Sequence, residues 1–140
     1  MKTIISICIA LFFTFVCACE RVEENYLSEN VEYAAAQYDL LIEKLEKNGK
    51  PWAPRTVDTK GNIVYARNVW DWTSGFFAGS LWYLYNLTGD EKWKTLAKKY
   101  TEALKQQQYI TSHHDIGFII GCSYLNGMRM GQEAYDTIIV

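Results

Sequence analysis

The sequence predicts an all-α fold, a toroid of helical hairpins of which this chain carries the amino-terminal part. Three observations lead there. The stretch Asp71 to Trp82 recurs 42 residues later without a gap: Gly75, Phe76, Gly79, Gly89, Glu91 and Thr95 align with the identical Gly117, Phe118, Gly121, Gly131, Glu133 and Thr137, while Trp82 and Trp93 face Tyr124 and Tyr135. A period of that size marks stacked supersecondary units, none of which buries its apolar face alone. Within each unit the apolar residues follow helical spacing, with a glycine-containing turn between two helices. Finally, nearly uncharged helices alternate with amphipathic ones. An inner ring inside an outer ring satisfies that alternation, whereas an open solenoid would leave both faces more polar.

Residues 1–18 read as an export signal: a basic Lys2, an apolar run from Ile4 to Phe15, then Val16-Cys17-Ala18 ahead of Cys19. The run is short for a membrane span. Val16-Cys17-Ala18-Cys19 is similar to a bacterial lipobox, in which Cys19 becomes the lipidated first residue, so the expected location is periplasmic or outer-membrane-anchored; an ordinary cleaved signal is the plainer alternative. Residues 19–30 are polar and acidic and suit a tether. The folded part, 31–140, opens with a helix whose apolar face is Val31, Ala34, Ala35, Tyr38, Leu41, Ile42 and Leu45, stopped by Gly49 and Pro51. Residues 50–72 form a long connection with a turn at Asp58-Thr59-Lys60-Gly61-Asn62, either a functional loop or a small hairpin.

The next helix, about Ser74 to Leu87, is apolar on every side and is expected to be buried on every side. Gly75 and Gly79 lie one turn apart and let a neighbouring helix come close. Asp90 to Gln107 carries one stripe of Trp93, Leu96, Ala97, Tyr100 and Leu104 beneath a charged cover. Ile116 to Met130 is again nearly uncharged, and Glu133 to Val140 begins another helix. The apolar end at Thr137-Ile138-Ile139-Val140, without a stop signal, suggests the first part of something longer.

A net charge of −2 implies no basic surface for nucleic acid. Cys122 is the one cysteine past Cys19; it takes the repeat position of Ser80 and reads as packing. Thr73 and Asp115 share a register position just before the two inner helices and are natural N-caps. Trp70, Asp71, Trp72, His113, His114 and Asp115 therefore gather where the inner helices point their N-termini, a ready anion site. Tryptophan faces, imidazole and carboxylate suit a carbohydrate. A metal held by His113, His114 and Asp115 is unfavourable, because adjacent residues rarely converge on one ion. No metal or other cofactor is expected.

Asp71-Trp72-Thr73-Ser74-Gly75-Phe76-Phe77, Leu87-Thr88-Gly89-Asp90 and His114-Asp115-Ile116-Gly117-Phe118 closely resemble the unsaturated glucuronyl hydrolases, glycoside hydrolase family 88. The resemblance runs from about Pro51 to Val140 and implies an (α/α)6 barrel, incomplete in this chain. It also implies an enzyme acting on unsaturated uronate-containing oligosaccharides released by polysaccharide lyases. Such enzymes hydrate the C4=C5 double bond: C4 is protonated, water adds at C5, and the hemiketal opens to release the partner sugar. The resemblance assigns Asp115 as one of two catalytic aspartates, Trp72 as a substrate-stacking residue, and Ala78 as a departure where proline is common; His114 reads as a polar contact to substrate or as a satisfied structural histidine. The second aspartate is expected beyond Val140, so the 140-residue chain is expected to be inactive by itself. A carboxylate at a helix N-terminus is held as the anion, which suits Asp115 to charge stabilisation more than to proton donation. Two other readings stand beside this one: an unsaturated rhamnogalacturonyl hydrolase, and a non-catalytic, lipid-anchored helical-repeat module that binds glycans or proteins.

Overall fold

The structure, a computed structural model, describes the backbone of residues 2–49, 52–66 and 71–139, with side chains from residue 25 onward. Trp70 and the side chain of Cys19 lie outside the described residues. Contacts divide the chain into residues 1–42 and 43–140. The first unit is the bulk of helix α1 (Lys2–Lys47), which continues through the segment read as a tether. There Asn25 Nδ2 donates one turn forward to Glu29 Oε1 at 3.2 Å, and Asn30 Nδ2 donates one turn back to Tyr26 O at 2.7 Å. Among the described residues no helix is long and apolar enough to cross a membrane.

The second unit holds the last turn of α1, an antiparallel hairpin of β1 (Pro54–Val57) and β2 (Ile63–Tyr65), and a set of helices. The hairpin turns where the sequence suggests: Asp58 Oδ1 accepts from the N–H groups of Lys60 and Asn62, both at 2.8 Å, and Gly61 takes φ +80°. Helix α2 (Ser74–Thr88) ends at Gly89, whose left-handed φ of +68° lets its N–H reach Tyr85 O at 2.8 Å. Its repeat partner Gly131 is also left-handed, at +88°. Gly89 and Gly131 thus mark helix ends. Helix α3 (Glu91–Glu102) starts where Asp90 Oδ1 accepts from Lys92 N–H at 2.9 Å, and it stops five residues before the expected Gln107, giving way to a 3-10 turn (Lys105–Tyr109).

The second inner segment is α4 (Ile116–Ile120), a π turn (Gly121–Leu125) and α5 (Asn126–Arg129) in succession. A 3-10 turn (Glu133–Tyr135) and α6 (Asp136–Ile139) follow. Helix α2 packs on this segment through its glycines. A Cβ on Gly75 would stand 2.3 Å from Ile119 O, and one on Gly79 would stand 2.6 Å from Cys122 O, so two backbones touch where side chains would separate them. Their repeat counterparts Gly117 and Gly121 have nothing within 4 Å of such an atom.

Behind that contact Trp82, Leu81, Trp93, Ile119 and Tyr124 are fully buried. The Trp82 indole donates to Thr101 Oγ1 at 3.0 Å, and Tyr135 donates to Glu102 Oε1 at 2.9 Å while its ring meets Tyr124 at 4.8 Å. Burial pushes the Tyr124 hydroxyl up to about 12, and burial reinforced by the Glu102 hydrogen bond raises Tyr135 as well. The expectation that α2 is buried on every side is corrected: Phe76, Tyr83 and Leu87 are exposed. They occupy the flank of α2 turned away from α3, which covers only the opposite side with Trp93, Ala97 and Tyr100.

Gly79→Ala should cost about 2 kcal/mol in urea melts, because a backbone carbonyl cannot swing aside and the strain outweighs the roughly 1 kcal/mol helix-propensity gain. Gly117→Ala, in open space, should be neutral or slightly stabilising; equal losses from the two would contradict the close approach. The tyrosines predict an alkaline limit. Their folded hydroxyls titrate above the unfolded value of 10.0, so the stability they contribute is complete below that pH and is lost as pH rises from about 10 through about 12. Urea midpoints taken across that range should fall, and Tyr124→Phe should fall less.

Candidate functional site

The loop before α2 is built around Asp71. Its Oδ1 accepts from Thr73 N–H at 3.2 Å and Thr73 Oγ1 at 2.6 Å, and its carbonyl accepts from Ser74 N–H at 3.0 Å. This is an Asx turn feeding a helix. Thr73 holds the N-cap position as the sequence predicts, but its side chain makes no capping bond; Asp71 satisfies the helix start instead. Ser74, buried, donates to Gln107 Oε1 at 3.2 Å and ties this end of α2 to the 3-10 turn. From the hairpin, Arg55 Nε lies 3.4 Å from Asp71 Oδ2. Neither Arg55 nor the role of Asp71 was legible in sequence, because the pair forms between distant elements.

Trp72 follows Asp71 and stands partly exposed, at 43%. Its ring meets Phe76 edge-on at 5.5 Å and Phe118 at 5.9 Å, and the two phenyl rings are 6.2 Å apart. Phe76 and Phe118 are repeat partners, each one turn into an inner helix. Close approach of the helices at Gly75 and Ile119 brings them together, and all three rings keep a face or edge open to solvent. Aromatic contacts of this kind add about 0.5–1.5 kcal/mol beyond area burial and hold each ring at a set angle. The result is an apolar shelf at the N-terminal ends of α2 and α4.

Asp115 takes the N-cap position of α4 as expected, yet its carboxylate makes no capping hydrogen bond among the described residues. It is one-third exposed, with Oδ1 3.4 Å from Nε2 of a largely exposed His114. Phe118 of the shelf lies three residues on, one turn from Asp115 on the same face. Asp115 and Trp72 therefore share one end of the inner pair, with His114 at its outer edge and His113 half-buried behind.

A shallow cleft of about 420 Å³ runs on from the shelf along the groove between α2 and the second inner segment, past Phe76, Gly79 and Tyr83 on one side and Cys122, Asn126 and Arg129 on the other. Cys122 is a free thiol that burial pushes above its ordinary value of 9.0, the reverse of a nucleophilic cysteine. The combination of an aromatic shelf, an uncapped carboxylate and helix N-termini can receive a sugar ring face-on and set an acidic group against its edge.

A family model described as Glycosyl hydrolase family 76 matches residues 17–140. Among curated relatives, an unsaturated glucuronyl hydrolase of Formosa agariphila is 28% identical across the whole of this chain and 37% of its own length. One of a Bacillus species is 36% identical over 50% of this chain and 19% of its own, and an unsaturated chondroitin disaccharide hydrolase of Streptococcus agalactiae is 33% identical over 46% and 17%. A solved unsaturated glucuronyl hydrolase specific for heparin superposes with a TM-score of 0.59 at 42% identity, over 63% of this chain and 24% of that one. The fold is thereby part of an (α/α)6 barrel. The chain spans 37% of the Formosa relative's length and between 17% and 24% of the others. The matching model carries the number 76 where the motif resemblance carries 88; the relatives and the solved structure bear the unsaturated-hydrolase name that the motifs imply.

The raised thiol gives Cys122 a smaller thiolate fraction than a free cysteine near neutral pH. Peptide mapping after limited iodoacetamide treatment at about pH 8 should find Cys122 alkylated more slowly than free glutathione. Faster labelling would mark a reactive site.

Proposed function

The chain belongs to glycosyl hydrolase family 76 by the model it matches, and from the names its relatives carry we propose that the whole protein is a glycoside hydrolase that hydrates the C4=C5 double bond of unsaturated glucuronyl disaccharides. The relatives' names support this class of substrate, heparin in one case and a chondroitin disaccharide in another. The observation that carries the reading is the placement of Asp115: a carboxylate at a helix N-terminus, free of capping duty, one turn from the shelf formed by Trp72, Phe76 and Phe118.

In this reading the unsaturated ring lies against Trp72, and its carboxylate faces the N-terminal N–H groups of α2 and α4. Protonation of C4 leaves positive charge at C5 and the ring oxygen, water adds at C5, and the hemiketal opens to expel the partner sugar. Asp115, at the start of α4, stabilises that positive charge and orients the water, while His114 contacts substrate at the rim. Proton delivery falls to a second carboxylate of the whole protein. We extend the proposal to location: an exported protein, lipidated at Cys19, facing polymer fragments outside the cytoplasm.

Activity in the full-length protein is the test, followed as loss of the double bond's ultraviolet absorbance together with release of the partner sugar. Asp115→Asn should lower kcat/KM by about a hundredfold or more, mostly in kcat. Trp72→Ala should raise KM by up to about tenfold with a smaller change in kcat. Equal turnover of the saturated disaccharide, or sugar release with the double bond intact, would contradict hydration. Binding without turnover would turn the reading to a non-catalytic glycan-binding module.

A further inference from the structure

Arg55 is the extra residue of a β-bulge. Pro54 pairs with Tyr65 and Thr56 with Val64, so two steps along β1 answer one step along β2, and Arg55 falls in the slip. A bulge bends its strand and re-aims the side chain at that point. Here the re-aimed guanidinium meets Asp71, with Nε 3.4 Å from Oδ2, the arginine half-exposed and the aspartate nearly buried. The other oxygen of Asp71 takes both hydrogen bonds from Thr73. Trp72 is the residue between them, its backbone fixed on one side by a carboxylate pinned to the hairpin and on the other by the threonine that carboxylate holds.

Capping alone does not account for this arrangement. Asp71 would form its turn with Thr73 and Ser74 without any cation, and a half-exposed ion pair adds little to stability. The hairpin nevertheless gives up regular pairing at Arg55, whose side chain reaches Asp71. We infer that Arg55 and Asp71 are positioning residues for Trp72, and that the bulged hairpin is a strut that fixes the angle of the indole on the Phe76 and Phe118 shelf and so sets how firmly a sugar ring is gripped. The inference rests on the reading of Trp72 as a substrate-stacking residue.

The test is 19F NMR of the whole chain labelled with 5-fluorotryptophan, the Trp72 resonance being assigned by its loss in Trp72→Phe, with and without an unsaturated glucuronyl disaccharide. Arg55→Ala should shift and broaden the Trp72 signal while leaving those of buried Trp82 and Trp93 in place, which also shows that the variant is folded. Asp71→Asn keeps an acceptor for Thr73 but loses the charge, so it should match Arg55→Ala; Asp71→Ala should disturb the signal more. Disaccharide affinity should fall about two- to fivefold in Arg55→Ala, and that loss should vanish when Trp72 is already alanine. An unmoved Trp72 signal in both Arg55→Ala and Asp71→Asn overturns the strut, as does an affinity loss that persists unchanged in the Trp72→Ala background. A wild-type Trp72 signal that ignores the disaccharide while still responding to Arg55→Ala supports the strut and overturns the substrate reading instead.

Discussion

The contact on which the second unit depends is between two backbones. Helix α2 meets the second inner segment at Gly75 and Gly79, where even a methyl group would collide with Ile119 O and Cys122 O. Interaxial distance is set by the side chains at the contact, and none at all gives the closest spacing. That spacing brings Phe76 and Phe118 within 6.2 Å at one end, which makes a shelf of residues otherwise an inner-helix width apart. In the layer behind, Trp82 and Tyr124 are fully buried and each meets the ring of Tyr135, where a wider gap would leave voids.

The π turn belongs to the same device. Lengthening the hydrogen-bond step over Gly121–Leu125 loosens the regular bonding of nearby carbonyls, and side chains take up the slack: Ser123 Oγ donates to Ile119 O at 2.6 Å and Asn126 Nδ2 to Cys122 O at 3.0 Å. Those are the two carbonyls that Gly75 and Gly79 approach. Both of these carbonyls accept from side chains of their own segment, so the close approach of α2 does not leave either without a donor. Gly79 cannot accept a side chain for the same reason that Ser123 and Asn126 are buried polar residues.

Much of this was legible in sequence because a repeat carries its own alignment. Gly89 and Gly131 end inner helices in left-handed conformation, Gly75 and Gly79 permit close packing, and Thr73 and Asp115 fall at helix starts, as the 42-residue register requires. Helix α3 was readable from its single apolar stripe, though its early end at Glu102 was not, since lysine and glutamine permit α and 3-10 geometry alike. Arg55 could not be found, because its meaning lies in a bulge and a tertiary ion pair, neither of which leaves a local pattern. Exposure of Phe76 and Phe118 was hidden for a related reason: periodicity marks a face as apolar without saying whether protein or a ligand covers it.

That ambiguity bears on how such a site arises. The repeat supplies two phenylalanines, two helix starts and two cap positions in equivalent places, and the site lies in how the copies differ. At the first start the polar role is taken by Asp71, outside the helix, which frees the residue before the cap to be Trp72. At the second the carboxylate stands at the cap itself, as Asp115, with His114 in the place of Trp72. A symmetric pair would give two stacking rings or two carboxylates. Shifting the aspartate between positions places one ring and one charge at the same end of a common frame, so that the glycines of the repeat are shared, and pack closely in the first copy, while the polar residues diverge.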